Sequence, residues 1–333
     1  MERADPYPNW NWHVEGNCNG LTSVFRISID PCGRLWVLDS GVIDVLNSTR
    51  QLCPPQIVVF DLRTDKLIWR YRIPKDQAPE GALFTNIATD VRNGKCDEAY
   101  AYIVDVLRYG LIVYNWKEDR SWRVSHSFFF PDPMACRYNL DNITFRWTDG
   151  IFGVALSPVD TVTGDRYLYF HPMSSHREFV VPTSVLRSET GADDHPDEFK
   201  VLGEPRALAN GQSSASGMDR RGVLFYNLVS QDAVGCWNSR RPFKRQYHGK
   251  VDENKETLNF PNDLKVDQEK RQSVWVLSNK LHKYIYAALN TEDVNFRVLT
   301  GRVEDLVRDT ICDPDSDVEP PVVDRFDCPN QEL

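Results

Sequence analysis

The sequence predicts an all-β chain folded as a β-propeller, and three observations predict it. A phrase made of an apolar strand, an Asp, a turn and a second apolar strand with a polar end recurs along the chain. Further strand pairs with tight turns fill the intervals, and helical 3.6-residue periodicity is scarce. The unit is four short strands in roughly 45 to 65 residues, the pattern of a propeller blade. Stacking such units radially buries each sheet against its neighbour and leaves few bare edges. We expect one β-propeller domain over residues 1–313 with its first blade incomplete. Residues 314–333 read as an acidic, Pro-containing flexible tail.

The first copy is "SVFRISIDPCGRLWVLDSG", Ser23 to Gly41, followed by the strand pair "QIVVFDLRTDKLIWRYRI". The second is "FTNIATDVRNGKCDEAYAYIVDV" from Phe84, followed by "GLIVYNWKEDRSWRVSH". The third is "IFGVALSPVDTVTGDRYLYFHPM" from Ile151, and the fourth "SSASGMDRRGVLFYNLV" from Ser213. The last, "FPNDLKVDQEKRQSVWVLSNK" from Phe260, repeats the first so closely that Trp36 and Trp275 fall at the same place. Both tryptophans are expected to pack between sheets. Five copies give about five blades, with room for a sixth before Met1.

Asp30, Asp90, Asp219 and Asp267 end the first strand of their copies, and Ser157 stands there in the third. A residue that recurs in nearly every unit serves the unit, here by accepting hydrogen bonds from turn N–H groups. The second strands end in Asp39, Asp105, His171, Asn227 and Ser278, polar but of varied type. The first strands start at Phe25, Thr85, Phe152, Ser214 and Asn262. Antiparallel pairing brings these ten positions to one mouth of the central channel. Aromatic walls with a few polar groups suit a small-molecule pocket; the alternative is a water-filled mouth.

A net charge of -9 argues against a nucleic-acid surface, which needs clustered Lys and Arg. The short basic run Asn238 to His248 reads as a solvated loop. No apolar run reaches the length of a membrane span. The eight cysteines are scattered and lack Cys-x-x-Cys spacing, so disulfides fit better than zinc or thioredoxin chemistry. Two sequons, at Asn47 and Asn142, agree with an oxidising compartment. No metal-ligand spacing is evident. Asp39, Asp105 and Asn227 invite comparison with calcium-holding propellers, against which stand a missing Glu and the presence of Phe25 and Phe152.

"PYPNWNWH", "CNGLTSVFRISIDPCGRLWVLDSG", "WTDGIFGVALSP", "LYFHPMSS", "GCWN" and "WVLSNKL" occur in that order. Together they resemble the insect yellow / major royal jelly protein family, on its yellow side, over Tyr7 to Asp313. The resemblance implies a secreted, monomeric, six-bladed propeller without cofactor. Members carry a signal peptide and about a further blade's worth of chain before the "PYPNW" motif. This chain starts at that motif without a leader, so we expect an N-terminally truncated member.

The resemblance also implies disulfides Cys32–Cys96 and Cys236–Cys312, with Cys18–Cys53 near the first blade and Cys136 and Cys328 left over. It places ligand contacts at Phe260, Asn262, Asn279 and Leu281, where amine-binding relatives have Thr for Asn262 and an aromatic for Leu281. An aromatic catechol, an indole or a biogenic amine would then sit among Phe25, Phe152 and Phe260. The implied role is cuticle and melanin pigmentation with dopachrome-converting activity. His171 is the candidate general acid or base, with Asp39 or Asp105 orienting it. The alternative is a non-catalytic amine-binding or structural cuticle protein.

Overall fold

The computed structural model describes residues 5–45 and 48–315. Asn47, Cys328 and the tail from residue 316 lie outside the described residues. Blade 1 is built from β1 (Val24–Ile29) and β2 (Arg34–Asp39), a small side hairpin β3 (Val42–Ile43) and β4 (Arg50–Gln51), then β5 (Gln56–Asp61) and β6 (Lys66–Arg72). Blade 2 holds β7 (Phe84–Asp90), β8 (Tyr100–Asp105), β9 (Gly110–Asn115) and β10 (Arg120–Ser125). A separate hairpin follows, β11 (Arg137–Leu140) and β12 (Ile143–Arg146). Blade 3 holds β13 (Ile151–Leu156), β14 (Tyr167–Pro172), β15 (Phe179–Pro182) and β16 (Lys200–Val201). Blade 4 holds β17 (Ser216–Met218), β18 (Val223–Leu228), β19 (Ala233–Asn238) and β20 (His248–Glu253). Blade 5 has three strands, β21 (Pro261–Val266), β22 (Ser273–Ser278) and β23 (Arg297–Arg302).

Each sheet is an antiparallel meander from its innermost strand outward. The innermost strands follow one another as β1, β7, β13, β17 and β21, which is the predicted propeller with five blades. The middle strands "YAYIVD", "GLIVYN" and "VLFYNL" are almost wholly buried. Both their faces meet a neighbouring blade, so they read as continuous apolar runs rather than alternating ones. Blades 1 and 2 meet through Trp36, Ile57 and Tyr114, and blades 2 and 3 through Tyr102, Val113 and Phe170. Blades 3 and 4 meet through Tyr169 and Trp237, and blades 4 and 5 through Phe225, Leu264 and Val276.

The recurring Asp serves the turn at Asp30, Asp219 and Asp267, whereas Asp90 instead gathers Arg92, Arg166 and Arg187 around its buried carboxylate. Asp30 accepts from the Cys32 and Arg34 amides, at 2.9 and 3.1 Å, and from the Trp36 indole N–H at 2.8 Å. Asp267 likewise accepts from the Glu269 and Ser273 amides and from the Trp275 indole N–H at 3.0 Å. The two tryptophans therefore make the same bond but meet different surroundings. Trp36 is fully buried against blade 2, whereas Trp275 is 44% exposed. The expected packing of Trp275 between sheets is corrected, because no described blade covers that side of blade 5. Ile27 and Ile29 are exposed in the same way on the facing side of blade 1. Among the described residues, Arg26 makes the polar link between β1 and β21, through its Nε to Asp263 at 2.9 Å and its Nη2 to the Asn262 carbonyl at 2.9 Å.

Disulfides Cys18–Cys53, Cys32–Cys96 and Cys236–Cys312 are formed. Cys136 is a buried thiol outside these pairs. Cys32–Cys96 joins the first turns of blades 1 and 2 across a separation of 64 residues. Closing so long a loop removes much unfolded-state entropy. The double variant Cys32→Ser/Cys96→Ser is expected to lose about 2–4 kcal/mol in urea unfolding, with the slope of the transition altered as the unfolded chain expands.

Candidate functional site

Four innermost strands carry a β-bulge at the same register. The pairing shifts between Val24 and Arg26, Phe84 and Asn86, Ile151 and Gly153, and Pro261 and Asp263. The extra residues are Phe25, Thr85, Phe152 and Asn262. A bulge leaves one residue unpaired and re-aims its side chain, so these positions turn together at the start of the inner strands. This gives a local cause for the convergence of first-strand starts on one mouth.

Phe25, Phe152, Phe260 and Leu281 join one apolar cluster with Val42, Leu83, Val106, Met173 and Val229. All five blades contribute to it. The β11–β12 hairpin closes it from outside, contributing Tyr138, Leu140 and Phe145, with Trp147 alongside. Tyr138 stacks on Phe145 with ring centroids 5.2 Å apart, and Phe145 stacks on Tyr286 at 4.8 Å. Phe260 is left with no exposed surface. The hairpin turns at Asp141 and Asn142, both with positive φ of 50° and 65°, a backbone that Asp and Asn tolerate better than most residues.

Asp141 fastens the tip. It accepts from Asn259 at 3.0 Å and His282 at 3.1 Å, and pairs with Lys283 at 2.7 Å. Burial raises its pKa but the Lys283, Asn259 and His282 bonds outweigh it and hold the carboxyl below its ordinary range. Asn279, one residue before the N-cap Lys280 of the short helix Leu281–Tyr286, accepts from the Leu281 amide at 3.2 Å. Asn142 is exposed beside the fastening.

Beneath the aromatic layer lies a polar one. Arg26 is buried, with its guanidinium 5.5 Å from the Phe152 ring centroid. Asn262 accepts from Arg26 through both its carbonyl and its side chain. Lys265, half-buried, donates from Nζ to Asn86 Oδ1 at 3.1 Å, reaching from blade 5 to blade 2.

The proposed proton-transfer group and its helpers pair in register beside the bulges, Asp39 with Val24, Asp105 with Phe84 and His171 with Gly153, but each is engaged within its own part of the scaffold. Asp39 accepts from the Thr22, Ser23 and Gly41 amides and from Gln56 at 2.7–3.0 Å. Asp105 accepts from the Leu83 and Arg108 amides and pairs with Arg123 at 2.9 Å. Both carboxylates clamp the chain entering their blade. His171 is fully buried and hydrogen-bonded through Nδ1 to Glu178 at 2.9 Å, and Glu178 pairs with buried Arg206 at 2.7 Å. Arg206 lies over the Tyr226 ring, so the triad is lodged between blades 3 and 4. Burial, more than Glu178 can offset, pushes the His171 pKa down. Asp39, Asp105 and His171 are thus held apart around the ring.

Sequence reasoning passed over Asp149 in "RWTDGIF". Its carboxyl takes no hydrogen bond from a described residue, and burial pushes it up to about 6. It sits near Cys136 and Tyr138, both of which feel its charge. The signal available was an acid set between Trp147 and the apolar Ile151 and Phe152. No cluster of metal-ligating side chains occurs among the described residues.

Residues 22–312 match the family described as major royal jelly protein. The chain is 41% identical over 320 residues to dopaminechrome tautomerase of Drosophila melanogaster, covering 93% of this chain and 68% of that protein. It is 43% identical over 311 residues to protein yellow of Drosophila yakuba and of Drosophila melanogaster, covering 92% of this chain and 56% of each relative. The chain therefore spans little more than half the length of those yellow proteins. Among solved structures, a streptogramin B lyase is similar at 9% identity and a TM-score of 0.45, covering 76% of this chain and 61% of that chain.

Proposed function

The chain belongs to the major royal jelly protein family, and on that premise we propose that it holds and tautomerises a catechol-derived aminochrome during pigment formation. One observation carries this reading: Phe25 and Phe152, re-aimed by aligned bulges in blades 1 and 3, gather with Phe260 and Leu281 of blade 5 in one apolar cluster at the start of the inner strands. Stacked aromatic side chains suit a flat bicyclic ligand and contribute about 0.5–1.5 kcal/mol per ring pair beyond burial. The reaction is redox-neutral, since a carbon-bound proton leaves and a quinone oxygen gains one. The identity with a dopaminechrome tautomerase supports the same substrate class. Three disulfides and the exposed sequon at Asn142 support an extracellular setting.

The test is turnover by the intact protein. Aminochrome made in place by oxidising dopamine should lose its colour faster with protein than without. Phe152→Ala, which removes a wall of the cluster, should lower kcat/KM by about tenfold. No acceleration above the buffer rate would rule the enzymatic reading out.

A second reading, a non-catalytic binder or cuticle protein, is favoured by the engagement of Asp39, Asp105 and His171 in the scaffold. It predicts saturable binding of the same compounds without loss of colour.

A further inference from the structure

We propose that the polar layer under the aromatic mouth is a receiving site for ligand oxygen, in which Lys265 holds a quinone, phenolate or carboxylate oxygen of a ring seated against Phe25 and Phe152. This rests on the reading that an aromatic ligand enters the mouth, and it adds which end of that ligand points inward.

The charge arrangement carries the inference. Two cations, Arg26 and Lys265, and one carboxylate, Asp263, face one another across β1 and β21. Asp263 is already engaged by Arg26 Nε at 2.9 Å. Arg26 is further committed to the Asn262 carbonyl, the Asn262 side chain and the Phe25 carbonyl. Lys265 is different. An ammonium has three N–H bonds, and among the described residues one is used, toward Asn86. No carboxylate of a described residue pairs with it. The Thr85 hydroxyl, at the neighbouring bulge, is buried and also has no hydrogen-bond partner among the described residues.

Asn86 fixes where the ammonium sits. Its Nδ2 donates to the Phe152 carbonyl at 3.0 Å, and its Oδ1 accepts from the Ile87 amide at 2.9 Å and from Lys265. The amide is thus held in one orientation and presents its acceptor to Lys265. Burial, offset in part by Asp263, lowers the Lys265 pKa, as expected of a cation short of solvent and of counter-charge. Such a group gains most from an oxygen that carries negative charge, and the attraction is strong where water is excluded. A ligand ammonium meets the opposite situation, since the one carboxylate there is already paired. The layer therefore selects oxygen-bearing or anionic ring ends over cationic ones.

The test compares two catechols of opposite charge, 3,4-dihydroxyphenylacetate and dopamine, by titration calorimetry on the intact protein. A charge-assisted hydrogen bond of ordinary strength predicts that the acid binds at least about tenfold more tightly than the amine. Lys265→Met should bring the two within about threefold, by weakening the acid. Lys265→Arg should keep part of the preference. The wild-type comparison stands alone if the variants fail to fold. Equal or tighter binding of dopamine overturns the inference and leaves the mouth as the ligand site. A preference that persists in folded Lys265→Met overturns the role of Lys265. Binding of neither compound at millimolar concentration overturns this inference and the reading of the mouth together.

Discussion

Glu178→Gln is expected to destabilise the protein by about 3–5 kcal/mol while leaving ligand binding at the mouth unchanged. Glu178 is fully buried and is the carboxylate that offsets the Arg206 guanidinium, itself anchored on the Ser175, Arg177 and Gly211 carbonyls. Removing the charge strands Arg206 between blades 3 and 4 with no counter-ion. Thermal unfolding should drop on the order of 10 °C. A catalytic role for His171 predicts another pattern, with turnover abolished at temperatures where the variant is still folded. The neighbouring His171 adds a pH signature. Its folded pKa is depressed, so the unfolded chain binds the proton more readily. Stability from this group is complete above the ordinary histidine pKa and is lost as pH falls below about 6.5. A stability change below about 1 kcal/mol would show that the triad is not the strut between these blades.

Asp149→Asn should act in the opposite direction. Burial raises this carboxyl from 3.8 to about 6 with no partner to offset it. The folded state therefore binds the proton more tightly than the unfolded state does. Wild-type stability should fall as pH rises from about 4 to 6 and then level off, at a total penalty of up to about 3 kcal/mol. Asparagine removes the charge, so the variant should lose that slope and gain about 1–3 kcal/mol at neutral pH. Urea unfolding between pH 4 and 8 reads both effects. A flat wild-type profile would mean that Asp149 has a counter-charge in the intact protein. A group that destabilises its own fold is a candidate for function, so turnover should be measured on the same variant.

The blades were legible because the middle strands are largely continuous apolar runs and four of the five first strands end in Asp. Those signals are local, and the structure uses them locally. The bulges were not legible, since one added residue in an inner strand leaves the alternation of its neighbours intact. Phe25 and Phe152 followed from aligning the repeats and Phe260 and Leu281 from the family resemblance, whereas the bulges that re-aim Phe25 and Phe152 did not follow from either. Trp275 departs from Trp36 because equal sequence does not bring equal surroundings where the next blade is not among the described residues. His171 drew attention as a lone titratable group at a strand end. Its partner Glu178 is close in sequence, but Arg206 arrives from 28 residues beyond the Glu, and burial decided the outcome. Lys265 could have been found from "NDLKV", in which Leu264 takes the core face and Asp263 and Lys265 share the other.

The β11–β12 hairpin has a consequence for time rather than for affinity. With Phe260 fully enclosed and the tip fastened by Asp141, the proposed aromatic ligand, were it to enter from this side, would have to wait for the hairpin to lift. Association of that ligand would then be paced by the opening and approach a ceiling as its concentration rises, instead of climbing at the diffusional rate. The same barrier would delay escape, so that a ligand held weakly in free-energy terms would still reside long enough for slow chemistry.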